Sequence, residues 1–310
     1  MKNAILLGAM ELFQHTISQR VALEGEGVLS GERIKVELCP APPNHGLVIE
    51  RADLTPPVRI RVCPKNAEAV PGAMVLRAGR ARVIYVEHLL ATLHGLAVDN
   101  LLIRIFGEEV PLFDGSAKSF VEAILRVGRR PQWSLRRYIR LEEEIVIREG
   151  RSFVSLRPAE GLRLKCAIEF PHPVIGCQEL ALDLSQEKFV SELSFARTFA
   201  FLDELVALRK AGLLRGGSLE NAIVLDSQRV LNPDGLKTPD EFVRHKALDL
   251  VGDLYLLGAP LLAEVEASRA THQLHLRAVE AVWQAVYAWR WYPSPAKVPA
   301  STSLQPALAV

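Results

Sequence analysis

The sequence predicts an α+β protein made of two similar halves, in each of which a small β-sheet packs on helices. Segments of alternating apolar and polar residues, typical of half-buried strands, are interspersed with segments of helical periodicity. The stretches that begin near Val36 and Val154 resemble each other, since each contains a strand, a Pro-Ala pair, a turn that ends in Gly and a second strand. Each half also ends in an amphipathic helix with a Phe-Val pair, SFVEAIL in the first and EFVRHKALDL in the second. These similarities indicate an internal duplication.

The first predicted domain covers residues 1–128. Its first 13 residues contain a short apolar run that Glu11 interrupts, so they predict a short helical or irregular extension rather than a signal peptide. The later elements follow from periodicity and turn residues. In chain order they are a strand meander over 20–62, a helix over 83–97, the strand LLIRIFG and a helix over 117–127.

Residues 129–138 break the periodicity and predict a linker. The second predicted domain covers residues 139–292, and the Pro/Ala/Ser-rich stretch 293–310 predicts a flexible tail. The elements expected in the second domain are strands in EEIVIREGRSFVSLRPAEGLRLKCAIEF, a helix and a short strand within 195–226, a helix over 238–258 and a final helix over 271–291.

The composition is that of an ordinary globular protein, with 49% hydrophobic and 24% charged residues among 310. A net charge of +1 gives no general electrostatic reason for binding nucleic acid. The four cysteines are scattered without a CxxC pair, which argues against a disulfide framework or a thiolate zinc site and favours the cytoplasm. No run of about 18 apolar residues predicts a membrane span.

The predicted helix 238–258 has signals at both ends. Thr238 and Glu241 have the spacing of a capping box, and Pro239 suits the first helical position. Gly258 and Pro260 mark its end.

On this helix His245, Asp249 and Asp253 recur every four residues and therefore share one face. The His245 and Asp249 pair can offer a nitrogen and an oxygen to one Zn²⁺. A solvated polar stripe, in which Asp249 pairs with His245 or Lys246, explains the same spacing equally well.

Other candidate residues lie outside this helix. Glu87 and His88 are adjacent, so the carboxylate can act as a general base beside a histidine ligand, although a partly exposed pair on an amphipathic helix is the better explanation when the pair is considered alone. One of His272 and His275 is a candidate acid for a leaving group, and spacing alone does not choose between them. Thr198 suits a helix cap when it is considered alone.

A resemblance to a known family, carried by longer segments, decides between these alternatives. VEHLLATLHGLAVDN, VPLFDGSAKSFVEAI, FPHPVIG, ELSFARTFAFL, GGSLENAIVLD, VLNPDGL and DEFVRHKALDLVGDLYLLG occur in one order, followed by the Thr271-His272 segment. Together, from about Gln14 to Trp291, they resemble the UDP-3-O-acyl-N-acetylglucosamine deacetylases of lipid A biosynthesis.

The resemblance implies a two-domain fold with the active site between the domains. It implies hydrolysis of the N-acetyl amide of an acylated UDP-N-acetylglucosamine, with Zn²⁺ as the cofactor. The implied ligands are His88, His245 and Asp249, with a fourth position left open.

The same resemblance assigns roles to other residues. Glu87 is the expected general base and His272 the general acid, which Asp253 keeps charged. Thr198 is expected to donate to the oxyanion and Lys246 to add positive charge near the substrate. The expected substrate and acyl-chain contacts lie in the stretch 199–224 and are Phe199, Leu205, Leu214, Gly217 and Val224.

The chain departs from the family pattern at Leu29, where a histidine is usual, at Thr271, where a glycine is usual, and in GAMVLRAG. These departures bear on substrate affinity and acyl preference, so a paralogue that acts on another N-acetylated sugar nucleotide is an alternative. A non-catalytic binding protein of the same fold is a third reading, which the retained Glu87 and His272 disfavour. We expect a monomer without a nucleic-acid partner, whose amphiphilic substrate favours peripheral contact with the inner membrane.

Overall fold

The computed structural model describes residues 11–293. The predicted extension 1–13 and tail 293–310 therefore lie outside the described residues, apart from residues 11–13 and 293. No helix within 11–293 is long and apolar enough to cross a membrane.

Each half of the described chain contains both strands and helices, as expected of an α+β protein. The strands are β1 (Phe13–Ile17), β2 (Val21–Glu26), β3 (Arg33–Pro40), β4 (Leu47–Arg51), β5 (Val58–Arg61), β6 (Ala67–Val70), β7 (Ala73–Ala78), β8 (Ala81–Ile84), β9 (Leu101–Phe106), β10 (Arg129–Leu135), β11 (Tyr138–Leu141), β12 (Ile145–Glu149), β13 (Ser152–Pro158), β14 (Leu162–Glu169), β15 (Cys177–Asp183), β16 (Phe199–Phe201), β17 (Ile223–Leu225), β18 (Leu261–Ser268) and β19 (Trp289–Tyr292). The helices are α1 (Glu87–Gly95), α2 (Lys118–Val127), α3 (Gln186–Lys188), α4 (Leu202–Lys210), α5 (Glu241–Leu254) and α6 (His272–Gln284). A π-helical turn, Phe189–Leu193, follows α3, and short 3₁₀ turns lie at Pro64–Asn66 and Tyr255–Leu257.

The first half is organised by a five-stranded sheet of order β2-β3-β9-β4-β5. Strand β9 is antiparallel to β3 and parallel to β4. The predicted meander is therefore wrong in its connectivity, because β9 arrives from a distant part of the chain and separates β3 from β4.

The second half repeats this order as β12-β13-β18-β14-β15, with β18 antiparallel to β13 and parallel to β14. β11 and β19 extend the sheet beyond β18, which makes seven strands. The predicted duplication is confirmed by this identical strand order. Because α1 precedes β9 as α5 precedes β18, α1 corresponds to α5 and α2 corresponds to α6. The expected match between SFVEAIL in α2 and EFVRHKALDL in α5 is therefore wrong.

Helices α1 and α5 pack directly on each other and join the two halves. One continuous core cluster includes Leu89 and Leu93 of α1 together with Leu248 and Val251 of α5, all of them fully buried. Gly252 permits the close approach, since a Cβ there would overlap the carbonyl oxygen of Glu87. The contact brings the N-terminus of α1 beside the middle of α5.

Each half carries an insertion between the edge strand of its sheet, β5 or β15, and the helix that follows, α1 or α5. In the first half this is the three-stranded sheet β6-β7-β8. In the second half it runs from α3 through the parallel pair β16-β17, with α4 between those two strands. Both insertions contribute residues near the place where the N-terminus of α1 meets the middle of α5.

Three predicted boundaries are wrong because residues expected in a linker or a helix pair as strands instead. Residues 129–135 of the expected linker form β10, which pairs antiparallel with β1. The helix expected from residue 83 begins at Glu87, because the preceding residues form β8 against β7. The final helix ends at Gln284, and its aromatic continuation forms β19 against β11. The division into two domains stays a prediction.

The predicted helix 238–258 begins later than expected, at Glu241, and Pro239 precedes it by two residues. The expected capping box is absent, because the buried Glu241 carboxylate accepts hydrogen bonds from Arg197 instead. The predicted end is confirmed, since Gly258 adopts a left-handed φ of 75° after the 3₁₀ turn.

Candidate metal centre and active site

The N-terminus of α1 places Glu87 and His88 at the contact between the two halves. Tyr85, just before it, has a φ of 64°, an unfavourable conformation for a non-glycine residue, and turns the chain from β8 into the helix. The side chains of Glu87 and His88 are both buried, with 2% exposure each. The positive end of the helix dipole favours the negative charge of Glu87.

Helix α5 supplies the residues that face them. His245, Asp249 and Asp253 lie one turn apart and are buried, with Asp253 fully inaccessible. The prediction of a shared face is confirmed, and the solvated polar stripe is ruled out by this burial.

The ligand atoms of His88, His245 and Asp249 lie within 4.8 Å of one another. His245 Nε2 is 3.4 Å from Asp249 Oδ1, and His88 Nε2 is 3.6 Å from the same oxygen. Two atoms that each lie about 2.0–2.1 Å from a tetrahedral metal are about 3.3–3.4 Å apart. The spacing is therefore close to that of metal ligands and too long for good hydrogen bonds.

The electrostatics of the three side chains also fit a bound cation. Burial lowers the pKa of His245 to about 3, so the imidazole is neutral and retains a lone pair for a metal. Burial alone would raise the pKa of Asp249, but His245 and Lys246 hold it well below its usual range. Among the described residues Asp249 Oδ1 has no hydrogen-bond partner although it is buried. A buried carboxylate oxygen without a partner is costly, and a metal ion would satisfy it.

Neighbouring groups orient these side chains. His245 Nδ1 lies 3.1 Å from the carbonyl oxygen of Ala196, which fixes the tautomer that leaves Nε2 free. Lys246 donates from Nζ to Asp249 Oδ2 at 2.9 Å. Lys246 also lies over the ring of Phe199, 5.8 Å from its centroid.

Glu87 lies beside this group of ligand atoms. Its Oε2 accepts a hydrogen bond from Met74 N of β7 at 3.0 Å. Burial raises the pKa of Glu87, while His272 and His88 oppose that shift. A carboxyl group with a raised pKa is better suited to accept a proton near neutral pH.

His272 lies at the start of α6, where the Thr271 hydroxyl accepts from Leu274 N and caps the helix. Its Nδ1 donates to Asp253 Oδ2 at 2.7 Å, and its Nε2 is 3.8 Å from Asp249 Oδ2. Burial would lower the pKa of His272, but the carboxylates of Asp253, Asp249 and Glu87 raise it to about 9. His272 is therefore a protonated histidine beside the candidate metal site.

Phe199 approaches the site from the insertion in the second half, and Thr198 precedes it in the chain. Thr198 precedes strand β16 and does not cap a helix. Its amide donates to the carbonyl oxygen of Gly115 at 2.8 Å. The ring of Phe199 lies 6.4 Å from that of His245 and 5.0 Å from that of Phe242, measured between centroids.

The predicted acyl-chain residues fall into two places. Leu205 and Leu214 belong to a small apolar cluster that is separate from the main core, and Gly217 lies near Leu214. The other members of this cluster are Val28, Leu29, Leu112 and Tyr85. Val224 is instead buried in β17, where it pairs with Ala200.

Sequence reasoning missed several of these neighbours. Met74, Ala196 and Tyr85 act through backbone groups or packing, which no side-chain motif reveals. Spacing gave His275 no role of its own, and the structure shows it buried and hydrogen-bonded to Asp253.

Three buried side chains at metal-ligand spacing, with a carboxylate and a histidine near them, are typical of a metal-dependent hydrolase. A model of the LpxC family, UDP-3-O-acyl N-acetylglycosamine deacetylase, matches residues 14–284. The chain belongs to this family.

Named relatives agree with the family match. The UDP-3-O-acyl-N-acetylglucosamine deacetylase of Myxococcus xanthus is 43% identical over 269 residues, which cover 87% of this chain and 86% of the relative. Enzymes of the same name from Cellvibrio japonicus and Phenylobacterium zucineum are 40% and 42% identical, each over 90% of this chain and over 93% and 96% of their own lengths.

Proposed function

We propose that this protein hydrolyses the N-acetyl amide of a UDP-3-O-acyl-N-acetylglucosamine and releases acetate and the free 2-amine in lipid A biosynthesis. Relatives that are named for this activity match nearly the whole chain. The observation that supports the chemistry best is the buried set of candidate ligand atoms on α1 and α5, at metal-ligand spacing, with the buried Glu87 next to His88 in the chain and His272 3.8 Å from Asp249.

We propose Zn²⁺ as the metal, held by His88, His245 and Asp249. Two imidazoles and one carboxylate suit zinc, and three protein ligands are usual where zinc is catalytic. When bound, the ion would supply Lewis acidity that polarises the amide carbonyl and promotes ionisation of water.

The remaining steps belong to residues of the chain. Glu87, with Oε2 held by Met74 N, takes the proton of the attacking water. His272, protonated near neutral pH and fixed at Nδ1 by Asp253, delivers a proton from Nε2 to the departing amine nitrogen. Thr198 donates to the oxyanion, and Lys246 adds positive charge beside Asp249.

Substrate recognition is proposed at two surfaces. A cavity of about 520 Å³ extends from His272 and is lined by Lys246, Arg269 and Phe170. Two cationic side chains and an aromatic ring suit a nucleoside diphosphate. The cluster of Leu205, Leu214 and its neighbours suits the acyl chain, because the apolar surface there is separate from the main core.

The altered residue Leu29 favours the paralogue as the second candidate function. Leu29 packs in the cluster with Leu205 and Leu214, so the substitution lies where acyl selectivity is expected. Cytoplasmic location, a monomeric state and peripheral membrane contact stay predictions.

The test compares turnover of UDP-3-O-acyl-N-acetylglucosamine and of UDP-N-acetylglucosamine by purified protein with its metal content determined. We expect a large preference for the acylated substrate, about one zinc per chain, and loss of activity in chelator that zinc restores. Equal turnover of both substrates would favour the paralogue, and full activity without metal would contradict the proposed chemistry.

A further inference from the structure

We propose that His275 is a positioning residue that orients His272 through the carboxylate of Asp253, which both histidines contact. The inference rests on the proposed function, in which His272 is the proton donor. His275 lies on α6 three residues after His272, so both side chains project from the first turn of the helix toward α5.

The contact between the two helices is short and buried. Asp253 Oδ2 accepts from His272 Nδ1 at 2.7 Å and from His275 Nδ1 at 2.8 Å. His275 is 3% exposed and Asp253 is inaccessible. Within residues 11–293 Asp253 Oδ1 has no hydrogen-bond partner, so the carboxylate is held through one oxygen only.

These contacts are hydrogen bonds and not the edges of a second metal site. The distances of 2.7 and 2.8 Å are typical of charge-assisted hydrogen bonds. They are clearly shorter than the 3.4 and 3.6 Å between the candidate ligand atoms of His88, His245 and Asp249. The Asp253 cluster therefore serves a different purpose from the candidate metal site.

The arrangement fixes the tautomer of both rings. A carboxylate only accepts hydrogen bonds, so each Nδ1 carries its proton toward Asp253. For His272 this directs Nε2 toward the candidate metal site, where it lies 3.8 Å from Asp249 Oδ2. His275 supplies the second donor that prevents the Asp253 carboxylate from rotating, and thereby keeps the His272 ring in place.

Loss of this donor should affect the chemical step more than substrate binding. Outer hydrogen-bond partners of this kind typically contribute about 10–100-fold to activity. We expect His275→Leu to lower kcat by about tenfold or more with KM nearly unchanged. His275→Asn should restore most of kcat, because Asn Nδ2 and His Nδ1 are both bonded directly to Cγ, so the amide can donate to Asp253 from nearly the same place.

His94→Leu is the matched control, since it removes a half-buried histidine of α1 whose buried Nδ1 makes no hydrogen bond within residues 11–293. His94 packs on the ring of Tyr255, away from Asp253, so this change should leave kcat at the wild-type value. Thermal unfolding of each variant separates loss of stability from loss of positioning.

A second readout does not depend on activity. In ¹⁵N–¹H spectra of the full chain, the Nδ1–H of His272 should give a signal that is protected from solvent exchange in the wild type, in His275→Asn and in His94→Leu. That protection should be lost in His275→Leu. An unchanged His272 signal together with wild-type kcat in His275→Leu would overturn the inference, as would an Asn variant no better than the Leu variant. If the wild type itself fails to deacetylate, the proposed function fails, while the spectra still decide the role of His275.

Discussion

Gly252→Ala tests whether the close contact between α1 and α5 sets the geometry of the metal site. The added Cβ would overlap the carbonyl oxygen of Glu87 and would lie 2.8 Å from its carbonyl carbon and 3.1 Å from Ala91 N. Non-bonded carbon atoms prefer about 3.5–4.0 Å, so the contact with the carbonyl carbon alone requires the helices to separate by about 0.7–1.2 Å (3.5 − 2.8 and 4.0 − 2.8), and the shorter contact with the oxygen requires at least as much. Metal ligands tolerate about 0.2 Å, so His88 would leave the position that His245 and Asp249 require.

The assay measures metal content, deacetylation rate and the free energy of unfolding. We expect substoichiometric metal and a rate lower by about 10²-fold, the usual effect of misplacing a catalytic group by about 1 Å. The free energy of unfolding should fall by about 1–3 kcal/mol from overpacking. Helix propensity alone predicts the opposite sign, a gain of about 1 kcal/mol.

Gly161→Ala is the matched control, because a Cβ there meets nothing within 4 Å. It should retain the metal content and the rate of the wild type, with a stability change within about 0.5 kcal/mol. A Gly252→Ala protein that is more stable than the wild type and carries a full complement of metal would refute the role of this contact.

Three further changes address the metal, the acid and the acyl chain. Asp249→Ala should lower metal affinity by about 10²-fold or more, measured by competition with a chelator, and unchanged affinity would exclude Asp249 as a ligand. Because Asp253 helps to raise the pKa of His272 to about 9, the protonated acid is lost as the pH rises through that value. Asp253→Asn should therefore move the alkaline limb of the pH–rate profile to lower pH by about 1–3 units, and an unmoved limb would contradict this assignment. Leu205→Ala should raise KM for the acylated substrate by about tenfold without affecting UDP-N-acetylglucosamine, whereas equal effects on both would place the acyl chain elsewhere.

The sequence allowed the local part of the site to be predicted. Residues four apart on a helix share a face, so His245, Asp249 and Asp253 could be grouped from spacing alone. His88 could be added only by resemblance, because its position beside α5 depends on the helix contact at Gly252. The repeated segments near Val36 and Val154 revealed the duplication, since they form β3 and β4 in the first half and the equivalent β13 and β14 in the second.

Most of the errors concern long-range partners. Local alternation does not reveal that β9 separates β3 from β4, or that residues 129–135 pair with β1. The capping box failed because Glu241 pairs with Arg197, which is 44 residues away in the sequence. Buried charges take the partner that compensates them best, wherever it lies in the chain.

The most direct test of the catalytic account compares the wild type and Glu87→Gln in metal content and in the rate of deacetylation of the acylated substrate. Glutamine retains the shape of the side chain and removes the base, so we expect about one metal per chain in both proteins. The rate of the variant should be lower by about 10²–10⁴-fold. A variant that binds metal and deacetylates at the wild-type rate would contradict the assignment of Glu87, and with it the central claim about how this site works.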